Sequence, residues 1–194
     1  HTARPGEGPV RRPGRTRYDG GKGMMRGGQL DTRWGGGRWS HIWGCWEART
    51  AAFMVLGDTC TRACGFCAVK TGRPGTLDLG EPLRVAEAVE RMGLKHAVIT
   101  SVNRDELEDG GAAIFAGTIR QIRKRLPNCG IEVLIPDFMG DEAALGTVLR
   151  ARPAILNHNI ETVHRLYPQL RPKGRSPTSL ALLPSPNRMH ATLH

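Results

Sequence analysis

Residues 51–74 read AAFMVLGDTCTRACGFCAVKTGRP and join an apolar run to three closely spaced cysteines. The run at residues 51–56 has the length and composition of a buried β-strand. Cys60, Cys64 and Cys67 follow it in the order C-x3-C-x2-C, with Phe66 beside the last of them. Three thiolates on one short loop can bind three irons of a 4Fe–4S cubane and leave the fourth iron open to a small chelating molecule. The stretch therefore predicts a strand followed by an iron–sulfur loop that supports chemistry rather than electron storage.

Two other uses of these cysteines remain open on the residues alone. A structural zinc site would take Cys45 as its fourth ligand, but such sites favour two separated C-x2-C pairs. A disulfide framework fits less well, because five cysteines is an odd number and no secretory signal is recognisable at the amino end. The spacing thus favours the cluster over zinc, and either metal over disulfides.

Outward from the cysteines, apolar strands alternate with amphipathic helices. We predict strands at residues 51–56, 96–101, 131–135 and 154–157, and helices at residues 81–92, 112–126, 142–150 and 162–166. The second helix, for example, places Phe115, Ile119 and Ile122 on one face. Strand and helix alternating four times predict an α/β fold of right-handed βαβ units with a parallel sheet, either doubly wound or curved into a barrel.

Three further stretches carry a resemblance to a known family. They are ITSVNRDELEDGG at residues 99–111, IEVLIPDF at residues 131–138 and LNHNIETV at residues 156–163. With the cysteine loop, they make residues 45–175 closely resemble lipoyl synthases, which are radical S-adenosylmethionine (SAM) enzymes. The resemblance implies a partial (β/α)6 radical SAM barrel with roughly four of its six units present. The basic flanks are rich in Gly, Pro and Arg and poor in apolar residues, which predicts that they are disordered.

The same resemblance implies cofactors and a reaction. Cys60, Cys64 and Cys67 would hold the 4Fe–4S cluster that binds SAM, and an electron would split SAM into methionine and a 5′-deoxyadenosyl radical. The radical would remove hydrogens from C6 and C8 of an octanoyl chain on a carrier lysine, and a second 4Fe–4S cluster would supply the sulfur. The implied partners are an octanoylated lipoyl carrier protein or domain and a reductant such as ferredoxin or flavodoxin. The implied location is the cytoplasm, with a mitochondrial or plastid matrix as the alternative.

The ligands of the second cluster are where the chain departs from the family. Lipoyl synthases hold that cluster with an upstream C-x4-C-x5-C and a serine near the carboxyl end. At those spacings before Cys45 this chain has Trp39 and Trp34, and no residue of its tail can be matched to the serine. Because tryptophan offers an N–H donor and no lone pair for iron, we expect one cluster and interpret Cys45 as a remnant of the second site.

This departure leaves three alternatives to a sulfur-inserting enzyme. The first is a radical SAM protein that cleaves SAM without inserting sulfur, which the two tryptophans favour. The second is an inactive paralogue that binds the carrier and keeps only the fold. The third is a basic metal-binding module that contacts nucleic acid.

Polar residues after the predicted strands are the other candidate ligands, because ligands of parallel α/β folds gather at the carboxyl ends of strands. Gly110 and Gly111 follow the second strand, and by resemblance they correspond to the segment that meets the amino group of SAM. A DGG sequence is also typical of a turn before a helix. Asp137, after the third strand, either faces the barrel mouth or caps a turn. We expect Asn157 and Asn159, after the fourth strand, to point into the barrel and hydrogen-bond SAM or substrate.

Net charge divides the chain into three segments. Residues 1–50 contribute +6 and residues 171–194 contribute +4 to the total of +10, while residues 51–170 are neutral. We therefore predict an Arg/Gly-rich flank at residues 1–44, a radical SAM core at 45–175 and an irregular tail at 176–194. A basic arm can bind nucleic acid through phosphates, but no aromatic-interleaved motif accompanies it, so we do not expect nucleic acid as a partner. We also expect no membrane span, because no apolar run reaches about eighteen residues.

Overall fold

Four short strands rich in apolar residues form one parallel sheet. The computed structural model of the chain describes residues 48–182. The strands are β1 (Thr50–Val55), β2 (Thr59–Cys60), β3 (Lys70–Thr71), β4 (His96–Ser101), β5 (Gly130–Leu134) and β6 (Ile155–Asn157). The sheet has the order β1-β4-β5-β6, and β2 pairs with β3 in a separate two-stranded ladder inside the cysteine loop.

The register of the strands separates a helix-covered face from a cavity-lining face. Phe53 lies opposite Ile99, which lies opposite Val133, and all three side chains are buried on the same face. Because successive side chains of a strand point to opposite faces, the next residue of each strand faces the other side. All four strands are parallel, so their carboxyl ends meet at one edge and place the following loops together.

Three amphipathic helices cover the first face. They are α1 (Glu81–Arg91), α2 (Ala112–Arg125) and α3 (Glu142–Arg150), and α2 packs between the other two. The shorter elements are the 3₁₀-turns η1 (Phe138–Gly140) and η2 (His164–Leu166) and the helices α4 (Tyr167–Leu170) and α5 (Ser176–Leu182). None of the helices within residues 48–182 combines the length and the apolar character needed to cross a membrane.

The predicted α/β fold is confirmed, with four parallel strands that correspond to four of the six units of a radical SAM barrel. Within the part of the chain that the structure describes, β6 is the last strand of the sheet, and its outer edge has no neighbouring strand. The disordered flank expected at residues 1–44, together with Cys45, Trp34 and Trp39, lies outside the described residues.

Two predicted segments differ from the structure. The helix expected at residues 162–166 is replaced by the 3₁₀-turn η2, and the α-helix begins only at Tyr167. Pro168 explains this start, because proline lacks an N–H and is tolerated only in the first turn of a helix. The tail expected to be irregular from residue 176 begins instead with helix α5, whose Ser179 and Leu182 are buried.

Candidate functional site

The cysteine loop leaves the carboxyl end of β1 and places its three thiols at different depths. Cys60 lies in β2 and is 7% exposed, Cys64 is half-buried and Cys67 is exposed. The backbone N–H of Cys67 donates to the carbonyl oxygen of Cys64 at 3.0 Å, which closes a tight turn between them. All three are free thiols. The predicted ligands are thus chemically available on one loop.

Backbone N–H groups point at two of the sulfurs. Cys60 Sγ accepts from the N–H of Arg62 at 3.4 Å and from that of Asn103 at 3.3 Å, and Cys67 Sγ accepts from Val69 N–H at 3.5 Å. Such donors stabilise thiolates and tune the clusters bound to them. These hydrogen bonds suit thiolates that bind iron, whereas an ordinary neutral thiol does not require them.

The thiols border a cavity of about 700 Å³ at the carboxyl ends of the strands. This volume lies in the range of small-molecule sites. The side chains that line it with the cysteines are apolar on one part and polar or charged on the other. The apolar part includes Met54, Phe66, Val69, Val102 and Leu134, and the polar part includes Arg62, Thr100, Asn103, His158, Asn159, Glu161 and Arg171.

The donor set fits an iron–sulfur cluster. Within residues 48–182, no three His, Cys, Asp or Glu side chains converge closely enough to hold a single metal ion. A cubane binds each thiolate through a different iron, so its three cysteines surround a volume rather than meet at a point. Burial raises the pKa of the Cys64 thiol, while the positive charge of Arg171 opposes that shift. Iron binding at Cys64 would therefore release a proton.

Arg62, between the first two cysteines, joins the loop to the rest of the site. Its Nε and Nη2 donate to the carboxylate of Asp105 at 2.7–3.0 Å, and its Nη1 and Nη2 donate to that of Asp137 at 2.7 and 2.6 Å. The side chains of Arg62 and Asp137 are each only 3% exposed. Burial alone would raise the pKa of Asp137, but the hydrogen bonds and the positive charge of Arg62 together outweigh burial and hold that pKa below its ordinary value.

The structure resolves both roles that the sequence left open for Asp137. Its carboxylate faces Arg62 at the mouth of the barrel, and Oδ1 also accepts from the backbone N–H of Met139 at 3.0 Å, which caps η1. The role of Arg62 was not predicted. The available signal was an arginine inside a cysteine loop, but its partners lie 43 and 75 residues away in sequence.

The four residues predicted to bind SAM occupy different places. Asn159 lines the cavity with the cysteines, and its side chain donates to Glu161 at 2.8 Å. Asn157 is not among the lining residues, and its Nδ2 donates to Glu132 at 2.6 Å. Gly110 lines a second cavity of about 470 Å³ between the loops after β4 and β5. Gly111, the N-cap of α2, borders neither cavity. The structure therefore brings only Asn159 to the cavity of the thiols, and all four SAM-binding roles stay predictions.

His158 and Arg171 complete the far side of the cavity. His158 Nδ1 lies 2.8 Å from the carbonyl oxygen of Ile135, so Nδ1 carries the proton, and Nε2 accepts from the hydroxyl of Ser179 at 3.0 Å. Burial lowers the pKa of His158, which agrees with this neutral form. Arg171 is buried, stacks on Tyr167 and donates to the carbonyl oxygen of Asn159 at 2.8 Å. It brings a positive charge to the thiols that sequence reasoning missed.

The chain is similar to curated lipoyl synthases. It is 60% identical over 162 residues to that of Rubrobacter xylanophilus, covering 84% of this chain and 50% of that protein. It is 55% identical over 174 residues to that of Shouchella clausii, covering 89% and 56%. It is 58% identical over 167 residues to that of Halalkalibacterium halodurans, covering 86% and 55%. The chain thus spans about half the length of the curated relatives it matches.

A wider family match agrees with the geometry of the cysteine loop. Residues 54–183 match the radical SAM superfamily, and they include β1 from its fifth residue, the three thiols and every later element of the fold. This match extends over more than half of the chain. Radical SAM proteins use 4Fe–4S clusters and SAM. The structure combines a loop with three free thiols, a cavity of suitable size and a parallel sheet whose strands end at both. These features fit the radical SAM architecture, and the chain belongs to the radical SAM superfamily.

Proposed function

We propose that this chain is the radical SAM core of a lipoyl synthase, a sulfur transferase that inserts two sulfurs at C6 and C8 of a protein-bound octanoyl-lysine. The observation that carries the proposal is the set of Cys60, Cys64 and Cys67, which border one cavity at the carboxyl ends of the strands. The identity of 55–60% to lipoyl synthases supports the choice of reaction within the superfamily.

Each part of the cavity has a role in this proposal. Cys60, Cys64 and Cys67 would hold the cluster, and Asn159 would hydrogen-bond SAM beside it. When bound, the cluster and SAM together supply the 5′-deoxyadenosyl radical that removes hydrogen from an unactivated C–H bond. Gly110, Gly111 and Asn157 remain proposed contacts of SAM or substrate.

The mixed lining of the cavity supports the substrate class. Met54, Val102 and Leu134 form an apolar wall that suits a saturated alkyl chain, because burying such a chain requires no hydrogen-bonding partner. The neutral His158 has both ring nitrogens engaged. It is therefore not free to accept a proton, and hydrogen-atom abstraction does not require it to do so.

Partners and location follow from the proposed reaction. The substrate would be an octanoylated lipoyl carrier protein or domain, and a small electron donor such as ferredoxin or flavodoxin would reduce the cluster. We place the reaction in the cytoplasm, with an organellar matrix as the alternative.

Anaerobic reconstitution with iron and sulfide, followed by turnover with SAM, dithionite and an octanoyl-lysine peptide, tests the proposal. We expect 5′-deoxyadenosine and a peptide with two added sulfurs, both detected by mass spectrometry. Cys64→Ser should abolish both products. Cys129→Ser is the matched control, because Cys129 lies in the turn before β5 at the opposite end of the sheet, and it should leave both products unchanged. Equal 5′-deoxyadenosine from the Cys64 variant and the wild type would contradict the proposal.

A second candidate function is SAM cleavage without sulfur insertion. It is favoured by Trp34 and Trp39, which stand where the family has two cysteine ligands of its second cluster. The same turnover would then give 5′-deoxyadenosine and no added sulfur. Trp34→Cys combined with Trp39→Cys restores a C-x4-C-x5-C motif that ends at Cys45, and we expect this variant to bind about four more irons than the wild type. If the wild-type chain itself inserts two sulfurs, the second candidate is wrong.

A further inference from the structure

The cysteine loop starts from a backbone conformation that a leucine does not adopt freely. Leu56, the first residue after β1, has φ of +72°. This left-handed region is disfavoured for residues with a Cβ and persists only where surrounding contacts hold it. The contact on its N–H side is the buried carboxylate of Glu81, which accepts from Leu56 N–H at 2.7 Å. On its carbonyl side the contact is Arg104, whose Nη1 donates to the Leu56 oxygen at 2.9 Å.

Arg104 also holds the other end of the loop. Its Nη2 donates to the carbonyl oxygen of Gly75 at 2.9 Å, and its Nε donates to Glu106 at 2.5 Å. The residue is only 5% exposed. Leu56 and Gly75 lie on either side of the three cysteines in sequence, so a single guanidinium sets the distance between the two ends of the loop.

The middle of the loop is held by the neighbours of Arg104. The backbone N–H and the hydroxyl of Thr61 both donate to the carbonyl oxygen of Asn103, and Thr61 Oγ1 accepts from the N–H of Asp105. The carboxylate of Asp105 binds Arg62, as described above. Asn103, Arg104 and Asp105 are consecutive, so one short segment after β4 contacts the start, the middle and the end of the cysteine loop.

We infer that Arg104 is a positioning residue of the cysteine loop, which it fixes at both ends so that Cys60, Cys64 and Cys67 are arranged before iron binds. That the three cysteines bind a cluster rests on the proposed function. That Arg104 fixes both ends of their loop rests on its own hydrogen bonds. A guanidinium can donate to two carbonyl oxygens and a carboxylate at once through its planar fork, whereas a lysine ammonium is a compact point charge without that fork. The arrangement is therefore specific for arginine.

The first experiment uses the metal-free, reduced full chain, so that it depends on neither cluster nor SAM. Alkylation of each cysteine by iodoacetamide is followed by mass spectrometry in the wild type, Arg104→Gln and Arg104→Lys. Cys60 is buried, so its alkylation requires the loop to open. We expect Arg104→Gln to raise the alkylation rate of Cys60 about tenfold or more, with a smaller rise for Arg104→Lys, and the rate of Cys129 to change less than about twofold.

Arg123→Gln is the matched control. Arg123 also donates to two backbone carbonyl oxygens, those of Ala151 and Arg152, but at the carboxyl end of α3, away from the cysteine loop. This variant should lose a similar pair of hydrogen bonds and leave the alkylation of Cys60 at the wild-type rate. Equal rates in Arg104→Gln and Arg123→Gln would overturn the inference, as would wild-type protection in Arg104→Lys. If Arg104→Gln does not fold, Arg104→Lys carries the test.

A second readout separates positioning from general stability. After reconstitution, the electron paramagnetic resonance spectrum of the reduced cluster is recorded with and without SAM. We expect Arg123→Gln to give the wild-type spectrum and the wild-type response to SAM, and Arg104→Gln to give a broadened spectrum with a weakened response. An unchanged spectrum in Arg104→Gln would count against the inference. Absence of SAM cleavage by the wild type would instead count against the proposed function. The alkylation result would still stand, because it requires neither the cluster nor SAM.

Discussion

Replacing Asp137 with asparagine removes one carboxylate from the buried network around Arg62 while preserving the size of the side chain. Arg62 and Asp137 are each 3% exposed and share two hydrogen bonds of 2.7 and 2.6 Å. The asparagine oxygen can still accept one hydrogen bond from Arg62, and it can still cap Met139. Its amide N–H groups, however, would face the guanidinium of Arg62, which can only donate hydrogen bonds.

The size of the effect follows from what remains. Breaking a buried ion pair by removing one partner costs about 3–5 kcal/mol, because the other charge is left buried and uncompensated. Here Asp105 still binds Arg62 through two of its nitrogens. We therefore expect Asp137→Asn to lower the free energy of unfolding by about 2–3 kcal/mol at neutral pH.

The pH dependence gives the prediction a second signature. Because the pKa of Asp137 is lower in the folded chain than in the unfolded chain, its ionised form stabilises the fold above the unfolded pKa. That contribution is lost as the pH falls through the folded pKa. The difference between wild type and Asp137→Asn should thus be the same at about pH 7 and pH 5 and should shrink below about pH 4.

Urea denaturation of the metal-free chain under reducing conditions measures this difference. Asp141→Asn is the control, since Asp141 is exposed and caps α3 by accepting from Ala143 N–H, a role in which asparagine performs equally well. We expect the control to lie within about 0.5 kcal/mol of the wild type. An Asp137 variant as stable as the control, or a difference that persists unchanged at low pH, would refute the account of this network.

Three further predictions concern residues in and around the cavity. Gly111→Ala should destabilise the chain by about 2–4 kcal/mol in urea denaturation, because φ is +91° there and the added Cβ would lie 2.2 Å from Leu56 Cδ1. The control is Gly117→Ala within α2, where the added Cβ would lie at contact distance from Pro82, and the change in stability should stay within about 1 kcal/mol. Ser179→Ala should cost about 1–2 kcal/mol by leaving Nε2 of His158 without its donor, and a change below about 0.5 kcal/mol would contradict that hydrogen bond. Since burial keeps the pKa of His158 below its unfolded value, wild-type stability should decline as the pH falls below about 6.5, and His158→Gln should reduce this decline in the same titration.

The sequence predicted the fold closely because the strands are short, apolar and separated by helices with one buried face. Residues 96–101 and 142–150 coincide with the observed β4 and α3. The alternation of buried residues within β5 is a local property of the sequence. Two segments were exceptions: a 3₁₀-turn replaces the helix predicted at residues 162–166, and the tail begins with helix α5. The buried Ser179 of α5 takes its partner, His158, from 21 residues away in sequence.

The site was only partly predictable, because its charged residues take their partners from distant loops. Cys60, Cys64 and Cys67 carry a spacing that is recognisable in the sequence alone. Arg62 and Arg104 carry none, and their burial makes sense only once their partners are known. Periodicity also gives the face of a residue but not its height along the strand. Asn157 donates to Glu132 and is not among the residues that line the cavity with the thiols, so its contact with SAM or substrate stays a prediction.

The open-site cluster at Cys60, Cys64 and Cys67 is the central claim, and iron counting with electron paramagnetic resonance after anaerobic reconstitution tests it most directly. We predict about four irons per chain and a reduced-cluster spectrum that changes when SAM is added. The substitution Cys64→Ser should remove both features, whereas Cys129→Ser should keep them. A wild-type chain that retains no iron, or a spectrum that SAM leaves unchanged, would contradict the claim.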